Sequence, residues 1–156
     1  MGFLTWLEST AYAQWILTGL TGWPLILTMH AIGLAIAVGT VFAMNLRLLG
    51  LFRTIPLSGA YPLLAVAWVG IGLNIFSGFS LFMTQASFYV TSPPFLVKIS
   101  AIILGIVVLV FEQKTMKREL ADWEANGVSK NGRNLAMASL FLWTLAVVTG
   151  RFIAYL

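Results

Sequence analysis

Four long apolar segments separated by short polar stretches dominate this chain. They run over residues 24–46, 61–83, 95–111 and 135–155. A helix needs about 20 predominantly apolar residues to cross the bilayer core, and each segment meets or nearly meets that length. The pattern therefore predicts an all-α protein, a transmembrane four-helix bundle that forms one four-span membrane domain over residues 1–156.

The first 22 residues carry a different pattern. Apolar residues fall approximately on one stripe of a helix, whereas polar ones fall elsewhere; the stripe holds Phe3, Trp6, Leu7, Ala13, Leu17 and Leu20. Trp6, Trp15 and Trp23 are typical of the headgroup zone of a membrane. The segment 1–22 is therefore predicted to be an N-terminal interfacial amphipathic helix that ends at Gly22-Trp23-Pro24.

Polar residues return after the third apolar segment. Four acidic residues lie there among the basic ones: Glu112, Glu119, Asp122 and Glu124. This mixture is typical of a solvated helix surface. We expect the third span to continue as a solvated helical extension that Asn126-Gly127 ends.

Basic residues are distributed unevenly between the connections. Seven of the nine lie in the first and third, at positions 47, 53, 114, 117, 118, 130 and 133, and the second connection (84–94) has no charge. By the positive-inside rule, the basic connections face the cytoplasm and both termini lie outside a bacterial inner membrane. This placement also explains the net charge of +4 without a nucleic-acid partner.

Composition narrows the chemistry further. The chain is 60% hydrophobic and 9% charged, whereas soluble domains contain about 25% charged residues. This composition is typical of a membrane protein, whose partner is the lipid bilayer. It has no cysteine, which excludes disulfides, thiolate metal ligands, iron–sulfur clusters and covalent c-type haem attachment. There is no Gly-rich phosphate loop, H-E-x-x-H or G-x-S-x-G motif, which argues against a soluble-type hydrolase. Whether the protein is an enzyme of another kind stays open from the sequence.

Three cationic or titratable side chains interrupt the apolar runs: His30, Lys98 and Arg151. His30 lies six residues after Pro24, Lys98 lies four after Pro94, and Arg151 lies five before the end. At about 1.5 Å per helical residue, all three are expected roughly 6–10 Å below the outer face. Because ionisable groups within spans are costly, this shared depth predicts one shallow cationic site.

Each of these residues also has an ordinary structural interpretation. His30 either ligates a cofactor or metal or forms an interhelical hydrogen bond, and Gly33 on its face either makes room for a flat ligand or lets two helices approach. Lys98 and Arg151 either snorkel to the surface or bind carboxylates. Met83 is either a second ligand opposite His30 or a gap-filler.

Two stretches resemble known membrane-protein families. Residues 30–50 read H-A-I-G-L-A-I-A-V-G-T-V-F-A-M-N-L-R-L-L-G, and residues 93–99 read P-P-F-L-V-K-I. They resemble a family of small bacterial four-span proteins with a first-span histidine and a lysine early in span three, in which Asp is usual where Asn45 stands. More distantly the chain is similar to CopD-type copper-resistance and HemJ-type protoporphyrinogen oxidase membrane proteins.

The HemJ resemblance implies a haem b site. It places the recurrent histidine, glycine, arginine and lysine of that type at His30, Gly39, Arg47 and Lys98. Combined with the shared depth of the three cations, it predicts b-type haem near the outer face, with His30 as the axial metal ligand and Lys98 and Arg151 near the propionates. A redox or electron-transfer role would follow.

Two other hypotheses remain open from the sequence. In one, the protein handles copper through His30 together with Met29, Met44 or Met83. In the other, it is a non-catalytic accessory subunit or an oligomeric scaffold, as a homo-oligomer or within a larger membrane complex, and its 14 glycines serve packing alone.

The predicted orientation is directly testable. A reporter that is active only outside the cytoplasm should be active when fused after Leu156 and inactive when inserted at position 53, because the basic connections are retained inside. The two positions control for each other within one chain. Activity of a cytoplasm-only reporter after Leu156 would reverse the orientation.

Overall fold

The computed structural model describes residues 2–155, apart from the side chain of Ala154. The helices are α1 (Phe3–Glu8), α2 (Ala11–Thr18), α3 (Gly22–Leu48), α4 (Leu57–Ala60), α5 (Leu63–Thr84), α6 (Ala86–Tyr89), α7 (Pro93–Asn126) and α8 (Lys130–Phe152), followed by a 3₁₀ turn at Ile153–Tyr155. Four stretches, containing α3, α5, α7 and α8, are long and apolar enough to cross a membrane. The prediction of an all-α bundle with four spans is confirmed.

The N-terminal segment forms two short helices where the sequence pattern predicted one. Hydroxyl groups interrupt it, because the Ser9 side chain donates to the carbonyl of Trp6 and the Thr10 side chain donates to that of Leu7, both at 2.8 Å. Thr10 Oγ1 also accepts from the Ala13 amide at 3.3 Å and so caps α2. Such side chain–backbone bonds compete with the helical ladder.

Only part of the predicted apolar stripe faces the bundle. Leu7 and Ala13 are buried together with Ile16, whereas Leu20 is 95% exposed. Two hydrogen bonds fix this segment over one end of the bundle. The Glu8 carboxylate accepts from the Ser87 amide at 2.7 Å, and the hydroxyls of Tyr12 and Ser80 lie 3.0 Å apart. We call this end, where α1, α2 and α6 lie, the aromatic end.

The closest helix contact joins α3 and α5. A Cβ added at Gly70 would lie 2.5 Å from the backbone nitrogen of Ala37, and one added at Gly33 would lie 3.0 Å from that of Asn74. Two glycines therefore allow the two backbones to approach. The second close pair is α7 and α8, and α8 also packs on α3.

The main apolar core fills only one half of the bundle. Its buried members lie over residues 37–48 of α3, 57–71 of α4 and α5, 109–123 of α7 and 136–143 of α8. All of these stretches lie towards the end that carries Arg47, Arg53 and Arg133, which we call the basic end. The half nearer the aromatic end contains a cavity instead.

Glu112 corrects one expectation from the sequence. α7 does continue to Asn126, where Gly127 takes a positive φ of 88°. Glu112 is not part of a solvated surface, however, because its exposed fraction is 0%. It lies three residues after Leu109 and four before Met116, so it shares the helix face that packs into the core.

The α3–α5 contact generates a stability prediction. Gly70→Ala should lower the free energy of unfolding by about 1–3 kcal/mol, because the new methyl group meets backbone that cannot move aside easily. Gly72→Ala is the matched control on the same helix, since nothing lies within 4 Å of its added Cβ. Denaturation in mixed micelles measures both. Equal stability of the two variants would contradict a backbone contact at Gly70.

Candidate functional site

A cavity of about 410 Å³ lies between α3, α5, α7 and α8 on the side of the aromatic end. Its polar side chains are His30, Asn74, Lys98 and Trp143. The rest of the lining is apolar and includes Leu34, Ile71, Phe79, Phe82, Phe95 and Ile102. A largely apolar pocket with a few convergent polar groups is the usual form of a small-molecule site.

His30 is held in a defined state by its neighbour Ser77. Its Nδ1 lies 3.0 Å from Ser77 Oγ, and that hydroxyl donates its one proton to the carbonyl of Leu73 at 2.7 Å. Ser77 Oγ therefore accepts from an Nδ1–H group, which assigns the tautomer with Nε2 unprotonated. Within the described chain Nε2 has no hydrogen-bond partner, so its lone pair is available to a ligand of the cavity.

Two further α5 residues support His30. Asn74 Nδ2 donates to the His30 carbonyl at 3.0 Å, so Asn74 joins α5 to α3 by a hydrogen bond. Gly78 lies against the imidazole, where an added Cβ would come within 3.3 Å of His30 Cε1. The close α3–α5 contact thus brings a glycine, a serine and an asparagine to one histidine.

Lys98 lies in the same cavity as His30, on the facing helix α7. It is half-buried, and among the described residues no carboxylate pairs with it. Gly150 on α8 makes room for it, since a Cβ there would lie 3.3 Å from both Lys98 Cε and Nζ. An ammonium group without a counter-ion in an apolar cavity favours an anionic group on the ligand.

An aromatic cluster closes the cavity on the side of α6. The rings of Phe82 and Phe95 stack at 5.6 Å with 14° between their planes, and Tyr89 contacts both. Burial raises the pKa of Tyr89, so its phenol stays neutral at this rim. Flat aromatic side chains of this kind suit a flat apolar ligand.

Three other predicted site residues lie elsewhere. Gly33 packs against Leu73 and Asn74, as its helix-packing interpretation required. Met83 is half-buried but does not line the cavity. Arg151 is exposed, with its guanidinium carbon 5.7 Å from the centre of the Tyr155 ring, and it also lies outside the lining.

The geometry gives little support to a copper centre. Neither Met29 nor Met83 lines the cavity with His30, and Met44 lies 14 residues further along α3, about 21 Å away along the axis. No group of three or more His, Cys, Asp or Glu side chains that could hold a metal occurs in the described residues. A metal ion at His30 would therefore need further ligands other than the carboxylate and imidazole groups of the described residues.

Sequence reasoning did not single out several important residues. Ser77, Gly78, Phe82, Phe95 and Trp143 line the cavity or hold His30. Ser77 was visible as the residue one turn after Asn74 on a small, polar face of the second span. The aromatic residues gave no signal, because they are equally common at lipid-facing positions.

Comparisons with known proteins return no match, since no family model, no curated protein and no solved structure is significantly similar to this chain. The site must therefore be interpreted from its own geometry.

The assigned tautomer can be measured directly, because His30 is the only histidine in the chain. In ligand-free protein labelled with ¹⁵N-histidine, we expect one protonated nitrogen, Nδ1, and one unprotonated nitrogen, Nε2. Ser77→Ala removes the acceptor of Nδ1–H and should shift the population towards the Nε2–H form. Ser80→Ala, one turn further and bonded to Tyr12, is the control that should change nothing. A wild-type spectrum of the Nε2–H form would contradict the assignment.

Proposed function

We propose that this integral membrane protein binds b-type haem in the cavity beside His30 and serves redox or electron-transfer chemistry. The observation that carries the proposal is the state of His30. Its imidazole is fixed through Nδ1 by Ser77, and its free Nε2 belongs to a largely apolar, aromatic cavity. Histidines that ligate metals typically donate the other ring N–H to an oxygen in this way.

The other groups of the cavity suit the same ligand. Its volume of about 410 Å³ falls within the roughly 300–1,000 Å³ typical of ligand sites. Phe82 and Phe95 would contact the faces or edges of a macrocycle, and Lys98 would pair with a propionate. Arg151 is exposed and lies against Tyr155 outside the lining, so Lys98 is the cation of this cavity that would pair with a propionate.

The number of ligands is restricted by the single histidine. Since Met83 does not line the cavity, His30 would be the residue that holds the iron, alone or together with His30 of a second copy of the chain. When bound, haem supplies a one-electron redox couple. We further propose that the protein lies in a bacterial inner membrane with the haem near the outer face, as the basic connections suggest.

His30→Ala provides the decisive test. Loss of the axial ligand should lower haem per protomer by more than about tenfold, which corresponds to more than about 1.4 kcal/mol of binding free energy, and the Soret band should fall with it. The bundle should remain folded, because its spans depend on apolar length and the α3–α5 contact. Haem content is measured from the visible absorption of purified protein.

Met83→Ala is the matched control, because this half-buried thioether lies outside the cavity lining and its loss should leave the haem in place. If His30 only joins helices, His30→Ala should instead cost about 0.6–1.7 kcal/mol of stability and leave the spectrum unchanged. A colourless wild type, expressed with ample haem, would overturn the proposal. Metal analysis of that protein would then show whether copper takes its place.

A further inference from the structure

Glu112 is the most unusual residue outside the cavity. It belongs to α7, its exposed fraction is 0%, and neither carboxyl oxygen has a hydrogen-bond partner in the described chain. Burial of an ionised carboxylate without a partner is very costly. An ionisable residue within a membrane span is for this reason a candidate functional group, and its partner has to be identified.

A serine of α8 lies beside the Glu112 carboxyl. The Ser139 hydroxyl faces the Glu112 carboxyl, but without a hydrogen bond of good geometry, and it too is fully buried and unpartnered. Asn45 of α3 is another fully buried side chain of this core whose two amide atoms lack partners. Native interiors contain few unsatisfied polar atoms, and such atoms often mark a bound ligand, ion or catalytic role.

No charge offsets the Glu112 carboxyl. Among the described residues no basic side chain forms an ion pair with it. The neighbouring core faces of α3 and α5 present Asn45 and apolar residues such as Met44 and Leu64. Lys98 is 14 residues away on the same helix, about 21 Å along the axis. The smallest ligand that satisfies an unpaired carboxylate in these surroundings is a proton.

Along α7, Glu112 lies between Ile102, which lines the His30 cavity, and Trp123, which lines a second cavity. The second cavity, of about 690 Å³, opens at the basic end and is lined by Leu48 of α3, Trp123 of α7 and Arg133 of α8. Ser139 lies six residues inside Arg133, about 9 Å along α8. One turn beyond Ser139 is Trp143, which lines the His30 cavity, packs on Gly105 and has an unpartnered indole nitrogen.

We propose that Glu112 is a proton-binding site in the interior of the bundle, where its carboxyl holds a proton beside Ser139 and exchanges it with solvent through the cavity at the basic end. The step is the reversible conversion of a carboxylate and one proton into a carboxylic acid, and it needs no other reactant. This site goes beyond the haem proposal and does not depend on it.

Infrared spectroscopy of the protein in lipid vesicles, recorded across a pH series, tests the proposal. Wild type should show the C=O band of a protonated carboxylic acid at neutral pH, and the band should fall at alkaline pH and shift in D₂O as the proton exchanges. Glu112→Gln should abolish it. Asp122→Asn, which changes an exposed carboxylate on the same helix, should leave it intact.

Ser139→Ala keeps the test decisive if Glu112→Gln fails to fold. Loss of the neighbouring Ser139 hydroxyl should move the band to higher frequency, which assigns the band to Glu112 without altering that residue. A band that survives Glu112→Gln, or no carboxylic acid band at any pH, would overturn the proposal. Loss of the band on adding sodium at constant pH would overturn it in favour of a cation site. Because haem is read from visible absorption of the His30 variants, failure of either proposal is seen separately.

Discussion

The close contact between α3 and α5 is the constraint on which the candidate site depends. Side chains as short as serine and asparagine can reach a neighbouring helix only when the two backbones nearly touch. Gly33 and Gly70 permit that approach, and it lets Ser77 meet the imidazole and Asn74 meet the backbone of His30. Gly33 thus acts on the site through packing, although it is not part of the cavity lining itself.

One half of the bundle is packed by large side chains, and the other half contains the cavity. Towards the basic end, large side chains such as Met44, Leu109 and Met116 fill the interior. Towards the aromatic end, α5 carries Gly78 at the imidazole and α8 carries Gly150 at Lys98, and the space between them stays open. A site held by the rigid ends of long helices keeps its geometry better than one on loops, and preorganisation of that kind suits a ligand bound through one directional bond.

The level of a side chain along the bundle could be predicted from the sequence for His30 and Lys98, whereas the rotation of each helix about its axis could not. Counting residues from Pro24 and Pro94 placed His30 and Lys98 at one level, and they do line one cavity. The same count placed Arg151 at that level, yet its side chain lies against Tyr155 on the outside. Spans that are apolar on every side carry almost no amphipathic signal. It could therefore not be inferred whether Met83 or Gly33 faces the cavity, a neighbouring helix or lipid.

The side of α7 on which Glu112 lies could not be predicted from the sequence either. Its sequence neighbours Lys114 and Lys117 suggested a water-exposed helix, but α7 turns Glu112 inwards with Leu109 and Met116. At His30, which is half-buried, the ring Nδ1 and the backbone carbonyl both have partners from α5, so the cost of burial is offset by hydrogen bonds. At Glu112 neither carboxyl oxygen has a hydrogen-bond partner among the described residues, and in our proposal a bound proton removes the charge and leaves the surrounding core intact. The two sites therefore differ in kind: His30 is fixed in one state that presents a lone pair, whereas Glu112 has a state that depends on the proton it carries.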